Sequence, residues 1–130
     1  CAAYVDPQLL AVRCANGVMC AHSLPSPKMI EGFDKTVIDR ALTEDDYASG
    51  GSGHQMVWGR HQNKKIAAEL AEAWGANVFI LGHQHAEMGI EEKAHNIVIL
   101  NSDHSHAAAL PIDLSEQLVS HKLKAFLHSV

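Results

Sequence analysis

Four short apolar runs stand out from the polar background of the chain. They cover residues 9–14, 17–22, 78–81 and 96–100. Each is too short for a helix and rich in apolar or β-branched side chains, so we interpret each as a β-strand. Asn16-Gly17 separates the first two runs, and this dipeptide predicts a hairpin turn in which both residues take positive φ. The pattern therefore predicts a hairpin and, later in the chain, two buried strands.

Helical periodicity is clearest between Asn63 and Gly75, which we interpret as the N-cap and the stop of a helix. One apolar stripe runs along it, made of Ile66, Leu70, Ala73 and Trp74. Weaker spacing predicts a short helix near residues 34–41 and a second one beginning after Thr43. The glycine-rich residues 49–53 between these segments predict a loop.

The last third of the chain is less regular. Residues 86–95 are mostly polar and predict a connection, and residues 107–112 predict a further strand. A capping-box pattern at 113–116 and a 3.6-residue apolar stripe favour a C-terminal amphipathic helix, with an extended segment as the alternative. This alternation of strands and helices predicts an α/β fold, and the length fits one domain over residues 1–130.

Composition narrows the function classes. The apolar content of 47% and charged content of 19% argue against disorder, and a net charge of -5 offers no basic patch for nucleic acid. No apolar run approaches the roughly 20 residues that span a bilayer, so no membrane partner is expected. Three cysteines without metal-knuckle spacing indicate reduced thiols in a cytoplasmic protein; a disulfide between Cys14 and Cys20 is the alternative.

Histidine is the compositional outlier, with ten residues dispersed along the chain. Three predicted strands end in histidine-bearing loops, at His22, at Gly82-His-Gln-His85 and at Asn101-Ser-Asp-His-Ser-His106. A single loop histidine usually has a structural role, but the recurrence at strand ends favours a metal site. Imidazole suits zinc, manganese or iron better than calcium or magnesium.

Gly82-His-Gln-His85 resembles the GHxH motif of the calcineurin-like metallophosphoesterases. Cys20-Ala-His-Ser-Leu-Pro25 resembles the histidine–glycine–leucine–proline loop of the protein-phosphatase-like branch, and Met56-Val-Trp-Gly59 is similar to the tryptophan segment between the two motifs. The strand and loop over residues 96–104 resemble those that follow GHxH. The resemblance covers about Leu9 to Leu127, in the family's order.

The resemblance implies that His22 and His83 ligate one metal and His85 a second, in a centre of two divalent transition metals (manganese, iron or zinc). The family's Asp-x-His, Gly-Asp-x-x-Asp and Gly-Asn-His-Asp/Glu motifs are absent from this sequence. The expected fold is therefore half of a two-sheet metallophosphoesterase sandwich flanked by helices, namely the C-terminal half. The expected parent activity is hydrolysis of a phosphate monoester, with little or no activity in this chain alone.

Three further residues are candidates for contact with a phosphorylated substrate: Arg60, His104 and His106. We assign surface or structural roles to the other histidines, which are His54, His61, His95, His121 and His128. Two alternatives stay open. One is a non-catalytic zinc module built on His83, His85, His104 and His106. The other is a structural or interaction domain whose open sheet edge pairs with another copy or another chain. Because half a sandwich would expose apolar surface, we expect a homo-oligomer or pairing with the missing N-terminal half.

Overall fold

The computed structural model describes residues 9–103, 105–118 and 128–129, and its architecture is mixed α/β, as the α/β prediction required. Five strands form the main sheet: β1 (Ala11–Arg13), β2 (Val18–Ala21), β3 (Val78–Leu81), β4 (Ile90–Lys93) and β5 (Ile97–Leu100). Their order in this mixed sheet is β1-β2-β3-β5-β4. A second sheet pairs β6 (Ala108–Ala109) with β7 (His128–Ser129) in antiparallel fashion.

The predicted hairpin is present, but its turn differs from the prediction. β1 and β2 pair antiparallel, and Gly17 takes a φ of 81°, whereas Asn16 does not have positive φ. The Asn16 side chain is buried and donates hydrogen bonds to the carbonyl oxygens of Asp113 and Glu116, at 3.2 and 3.0 Å. Asn16 therefore ties the hairpin to the segment after β6 instead of completing a two-residue turn.

Helical segments fill the connection between β2 and β3. They are two 3₁₀ helices (Ile30–Gly32 and Lys35–Ile38) and the α-helices α1 (Glu44–Tyr47), α2 (Ser52–Trp58) and α3 (Lys64–Trp74). The prediction for α3 is confirmed: Asn63 Oδ1 accepts the Ile66 N–H, and Gly75 ends the helix in the left-handed conformation. Within its stripe, however, Ala67 is buried where Ala73 had been expected, and Ala73 is exposed.

Two predictions in this connection are corrected. The helix expected near residues 34–41 is only a 3₁₀ turn, in which Asp34 caps the Thr36 N–H. The loop expected over residues 49–53 is shorter, because α2 already begins at Ser52. A Cβ on Gly51 would lie 2.0 Å from the Asp45 carbonyl oxygen, so glycine is what lets the chain enter α2 this tightly.

The region after β3 departs most from the predictions. The polar connection expected over residues 86–95 contains the edge strand β4, which gains its ladder hydrogen bonds from β5 although its glutamates are exposed. The strand expected over 107–112 shrinks to the two residues of β6. The prediction of a C-terminal helix from residue 113 is wrong for the described residues at either end of that segment. Residues 114–118 form turns and irregular chain, and residues 128–129 form β7. Residues 119–127 lie outside the described residues. Asn16 takes the Asp113 and Glu116 carbonyls that a first helical turn would use.

Both faces of the main sheet are buried. On one face, β-strand side chains pack against α3 in a core that includes Met19, Phe79 and Leu70. On the other face, Val18, Val78, Ile80 and Val98 pack with Leu110, Ile112 and Leu118 from the chain after β6. The apolar face that half a sandwich was expected to expose is therefore covered, with its four strand residues at most 7% exposed.

Two further features of the described chain concern its cysteines and the length of its helices. Cys14 and Cys20 are free and half-buried, and burial raises the pKa of the Cys20 thiol, with Cys14 adding to the shift. None of the helices in the described ranges has the length and apolarity needed to cross a bilayer.

Parallel pairing fixes where the loops of interest emerge. β2, β3 and β5 are parallel neighbours, with Ala21 opposite Leu81 and Leu81 opposite Ile99. Their carboxyl ends consequently lie along one edge of the sheet. The residues that follow them, His22 and Gly82 above all, leave the sheet side by side.

A carboxylate network holds the helical connection together. Asp46 in α1 has a side chain only 6% exposed, and its two oxygens accept hydrogen bonds from Arg40 at 2.6 and 2.9 Å. The Thr43 backbone N–H and hydroxyl also donate to it, at 2.8 and 2.9 Å. The hydrogen bonds from Arg40 first, and then those from Thr43, hold the pKa of the Asp46 carboxyl well below its usual range.

We expect Asp46→Asn to lower the free energy of unfolding at pH 7 by about 1.5–3 kcal/mol, the usual worth of hydrogen bonds to a buried charge. Because the folded-state pKa is depressed, this contribution is present above the ordinary carboxyl pKa near 4 and is lost as the pH falls through the folded-state value. Urea unfolding of both proteins across pH 7 to pH 3 measures it, and the difference should shrink toward acid.

Asp39→Asn is the matched control. Asp39 also pairs with an arginine, Arg13 at 2.9 Å, but its side chain is 52% exposed. An exposed ion pair contributes about 0–1 kcal/mol, so this variant should lose little stability at any pH. Equal losses for the two variants would show that the burial of Asp46 does not matter.

Candidate metal centre

Two histidines meet where β2 and β3 end. His22 follows β2 directly and is exposed, and His83 follows β3 after Gly82. His22 Nε2 lies 3.0 Å from His83 Nδ1, and the ring centroids are 4.8 Å apart with the planes tilted by 55°. The Gly82 N–H donates to the His22 carbonyl at 3.2 Å, which extends the parallel ladder into the loops. Strand pairing thus brings together the first two candidate ligands that the sequence indicated.

Two ring nitrogens at this distance need a hydrogen atom or a cation between them, because two lone pairs facing one another would repel. Either one ring donates a proton to the other, or both lone pairs share a cation. Two imidazole nitrogens bound to one tetrahedral zinc ion, with bonds of about 2.0–2.1 Å, lie about 3.3–3.4 Å apart. The observed 3.0 Å is a hydrogen-bond distance, and the two nitrogens would separate by about 0.3 Å to share a zinc ion.

The far side of the His83 ring favours a ligand-binding role. His83 Nε2 is buried and has no hydrogen-bond partner among the described residues. Whichever proton arrangement joins the two rings, this atom stays unsatisfied, and a buried unsatisfied polar atom costs about 1–3 kcal/mol. An atom of this kind calls for a partner such as water, an ion or a ligand, and Gln55 Oε1 in α2 is a second one among the described residues.

The surroundings of His83 favour the form that ligates metals. Burial lowers the pKa of His83, and electrostatic interaction first with Arg60 and then with His22 lowers it further. A lowered pKa favours the neutral imidazole, the form that offers a lone pair to a metal.

The backbone conformation of this turn restricts His83 more than Gly82. Positive φ falls on His83, at 61°, and not on Gly82. A Cβ on Gly82 would meet only His22, at an ordinary 3.8 Å, so neither conformation nor space demands glycine there. Left-handed φ in a non-glycine residue is strained, and such strain concentrates at functional sites.

Trp58 forms a wall beside the pair. It ends α2, its side chain is 60% exposed, and its ring stands edge-on to His83 with centroids 5.5 Å apart. His54, one turn earlier on α2, lies 6.4 Å from Trp58, so the rings form a continuous row. The sequence singled out this tryptophan segment by resemblance but did not name Trp58 as a site residue.

Hydrogen bonds fasten the segment after Trp58 to the loop after His22. The Ser23 N–H donates to the Met56 carbonyl at 3.0 Å, and the Ser23 hydroxyl donates to the Gly59 carbonyl at 2.5 Å. The Arg60 N–H donates to Ser26 Oγ at 2.9 Å. The two segments run so close that a Cβ on Gly59 would lie 1.8 Å from the Leu24 carbonyl oxygen.

The remaining predicted site residues are placed as follows. Arg60 is exposed, and its charge acts on His83. His85 is exposed beyond the buried Gln84, and His106 is exposed in the loop after β5, where its carbonyl packs against Gly89. His104 lies outside the described residues. Within the described residues, no group of three or more histidine, cysteine, aspartate or glutamate side chains is arranged to hold a metal ion.

Two buried amides were missed by the sequence reasoning. Gln84, between the two histidines of the motif, is 6% exposed, and Gln62 is 8% exposed. Their side chains are bonded to each other at 2.9 Å. Nothing in the sequence marks a loop glutamine as buried, because its polarity predicts exposure.

Comparison with known proteins adds no relative: the chain matches neither a protein-family model nor a curated protein.

We expect Gly59→Ala to destabilise the protein by about 1–3 kcal/mol, the usual cost of forcing a methyl group into a packed site. The new Cβ would collide with backbone carbonyls of Leu24 and Gln55, which cannot rotate away. Gly32→Ala is the control, since nothing lies within 4 Å of its Cβ position. Urea unfolding compares them, and a Gly59→Ala variant as stable as Gly32→Ala would contradict the close approach of the two segments.

Proposed function

We propose that this chain contributes one side of a metal-dependent phosphoesterase centre, in which His22 and His83 hold one divalent transition metal. The observation that carries the proposal is the 3.0 Å approach of His22 Nε2 to His83 Nδ1 at the carboxyl ends of two parallel strands. Ligands commonly bind outside the carboxyl ends of strands in α/β sheets. The resemblance of Gly82-His-Gln-His85 to the metallophosphoesterase motif supports the same assignment.

The residues present fit the metal in part. Two neutral imidazoles suit zinc, manganese or iron, with His22 Nε2 and His83 Nδ1 as the ligating atoms, while the unsatisfied His83 Nε2 lies on the far side of its ring. A bound metal would supply Lewis-acid stabilisation of the charge that develops on a phosphoryl group. The described residues offer no third ligand to the pair. In the proposed centre, another segment or chain therefore supplies the carboxylates, and also the remaining ligands of the second metal, which His85 would bind.

The chain's own residues would act around that metal. Arg60 presents five N–H donors and a permanent charge, which suits a phosphate group. Trp58 would shield the His83 side of the site in part, because its ring stands edge-on beside that imidazole. The roles proposed for His104 and His106 in substrate contact rest on their place after β5.

The architecture proposed for the complete enzyme is a two-sheet sandwich, of which the sheet β1-β2-β3-β5-β4 forms one half. Both of its faces carry apolar cores, one against α3 and one against the chain after β6. The expected substrate class is a phosphate monoester of the protein-phosphatase type.

The test measures metal affinity by isothermal titration with zinc chloride. His83→Asn removes the imidazole while asparagine tolerates the left-handed φ of 61°. We expect at least about tenfold weaker zinc binding than in the unaltered protein, with a comparable loss for His22→Gln, because each variant removes a direct ligand.

His95→Asn is the matched control. It makes the same substitution at another left-handed histidine, with φ 76°, in the hairpin loop at the opposite end of β5. Zinc affinity should be unchanged in this variant. If His95→Asn weakens binding as much as His83→Asn, or if neither does, the proposed metal centre is wrong.

A second measurement tests the phosphoesterase class separately. Inorganic phosphate should bind the zinc-loaded protein at least about tenfold more tightly than the zinc-free protein, and Arg60→Gln should remove part of this gain, because guanidinium–phosphate hydrogen bonds are charge-assisted. Zinc binding without any gain in phosphate binding would leave a non-catalytic metal site and reject the phosphoesterase assignment.

A further inference from the structure

A line of three hydrogen bonds joins the loops that carry the two histidines. The His61 N–H donates to Gln84 Oε1 at 3.4 Å, Gln84 Nε2 donates to Gln62 Oε1 at 2.9 Å, and Gln62 Nε2 donates to the Leu24 carbonyl at 2.6 Å. Each amide accepts on one side and donates on the other. The dipoles therefore align in one direction, and aligned bonds polarise and strengthen one another.

The ends of this line lie next to the metal ligands. Gln84 directly follows His83, and Leu24 is two residues after His22. Between them, the segment after Trp58 supplies His61 and Gln62, and the Ser23 and Ser26 hydrogen bonds fasten this segment to the loop of His22. The Gln84 side chain thus joins the loop of His83 to this segment by two hydrogen bonds.

The position of Gln84 also bears on the strained turn. His83 has a φ of 61°, a strained conformation that persists only where neighbouring contacts enforce it. The residue immediately after it is buried and hydrogen-bonded at both ends of its amide. Anchoring Gln84 therefore limits the conformations open to His83.

The geometry points to Gln84 and Gln62 as positioning residues, whose paired amides set the orientation of His83 toward His22 and so set the metal affinity of the pair. This inference rests on the proposed function, because the quantity it explains is metal binding by the two histidines. Neither glutamine contacts the metal in it. Their effect passes through the loop backbone.

The experiment replaces Gln84 by methionine, which has similar length and volume but cannot form either hydrogen bond. Zinc affinity should fall by about tenfold to a hundredfold, the usual effect of removing an outer partner of a metal ligand. Cu²⁺ serves as a spectroscopic probe, since it binds nitrogen sites tightly. Pulsed electron paramagnetic resonance should count two imidazole ligands per copper in the unaltered protein and one in Gln84→Met.

Gln55→Met is the matched control for lost stability. Gln55 is 3% exposed in α2, and its Nε2 donates to the Gly50 carbonyl, so the same substitution also removes a buried amide hydrogen bond. It should unfold at a lower urea concentration while keeping zinc affinity and the count of two imidazoles. An equal loss of affinity in Gln55→Met would reduce the role of Gln84 to general stability and overturn the inference.

A double variant tests whether the line of hydrogen bonds acts as a unit. Gln62→Met should reproduce the effect of Gln84→Met, and the double variant should bind zinc no more weakly than either single variant, because one broken bond already disconnects the line. Additive losses would show that the two residues act separately. If Gln84→Met does not fold, Gln84→Glu keeps the acceptor for the His61 N–H but cannot donate to Gln62 Oε1, and the same loss is expected.

The two hypotheses fail in distinguishable ways. If His83→Asn leaves zinc affinity and the imidazole count unchanged, the metal centre itself is wrong. If His83→Asn abolishes binding but Gln84→Met does not alter it, the centre stands and the positioning role is overturned.

Discussion

The parallel pairing of β2 with β3 is the constraint on which the rest of the site depends. These strands are separated by a long helical connection, so only the sheet register brings their carboxyl ends together. With Ala21 opposite Leu81, the next residues are His22 and Gly82, and their backbone hydrogen bond continues the pairing. One residue of slip would turn the strand side chains to the opposite faces, and both buried cores oppose such a slip.

Strain within the described chain separates into two kinds. Ala94 and His95 take positive φ in the three-residue loop between β4 and β5, where a hairpin readily requires it. His61 and His83 also take positive φ, but neither lies in a hairpin. Both of these residues adjoin the buried amide line, and His83 carries the unsatisfied ring nitrogen as well. The strained backbone of His83 therefore lies beside buried hydrogen bonds that join the loops, as expected of a site held in one geometry.

Local sequence signals predicted local features well. β3, the cap and stop of α3, and the N-terminus of α1 at Thr43 all follow from residue types that act within a few positions. The histidine pair was also predictable, because strands that end in histidine share an edge once they are parallel. The predictions were wrong where a contact between residues far apart in sequence determined the local structure. Asn16 took the carbonyls of a segment about a hundred residues away and so displaced the expected helix start.

The buried glutamines illustrate the same limit inside the site. In sequence, Gln84 is a polar residue between two histidines, and it gives no sign that both ends of its amide are used. Its burial follows from the close approach of two segments, which Gly59 permits by having no side chain. The informative residue in the sequence was therefore Gly59, which follows a tryptophan. Its role depends on its contact with Leu24, 35 positions earlier.

Charge balance gives a final reason to favour an anionic ligand at the proposed centre. Two neutral imidazoles balance none of the charge of a divalent metal, which an anionic ligand would share with the carboxylates proposed to come from another segment or chain. Such a metal binds anions strongly, and Arg60, whose charge already acts on His83, adds to the positive potential. A zinc site that serves only structure is instead closed by four protein ligands, commonly with thiolates. The donor set on this edge of the sheet thus suits an open site for phosphate better than a closed structural one.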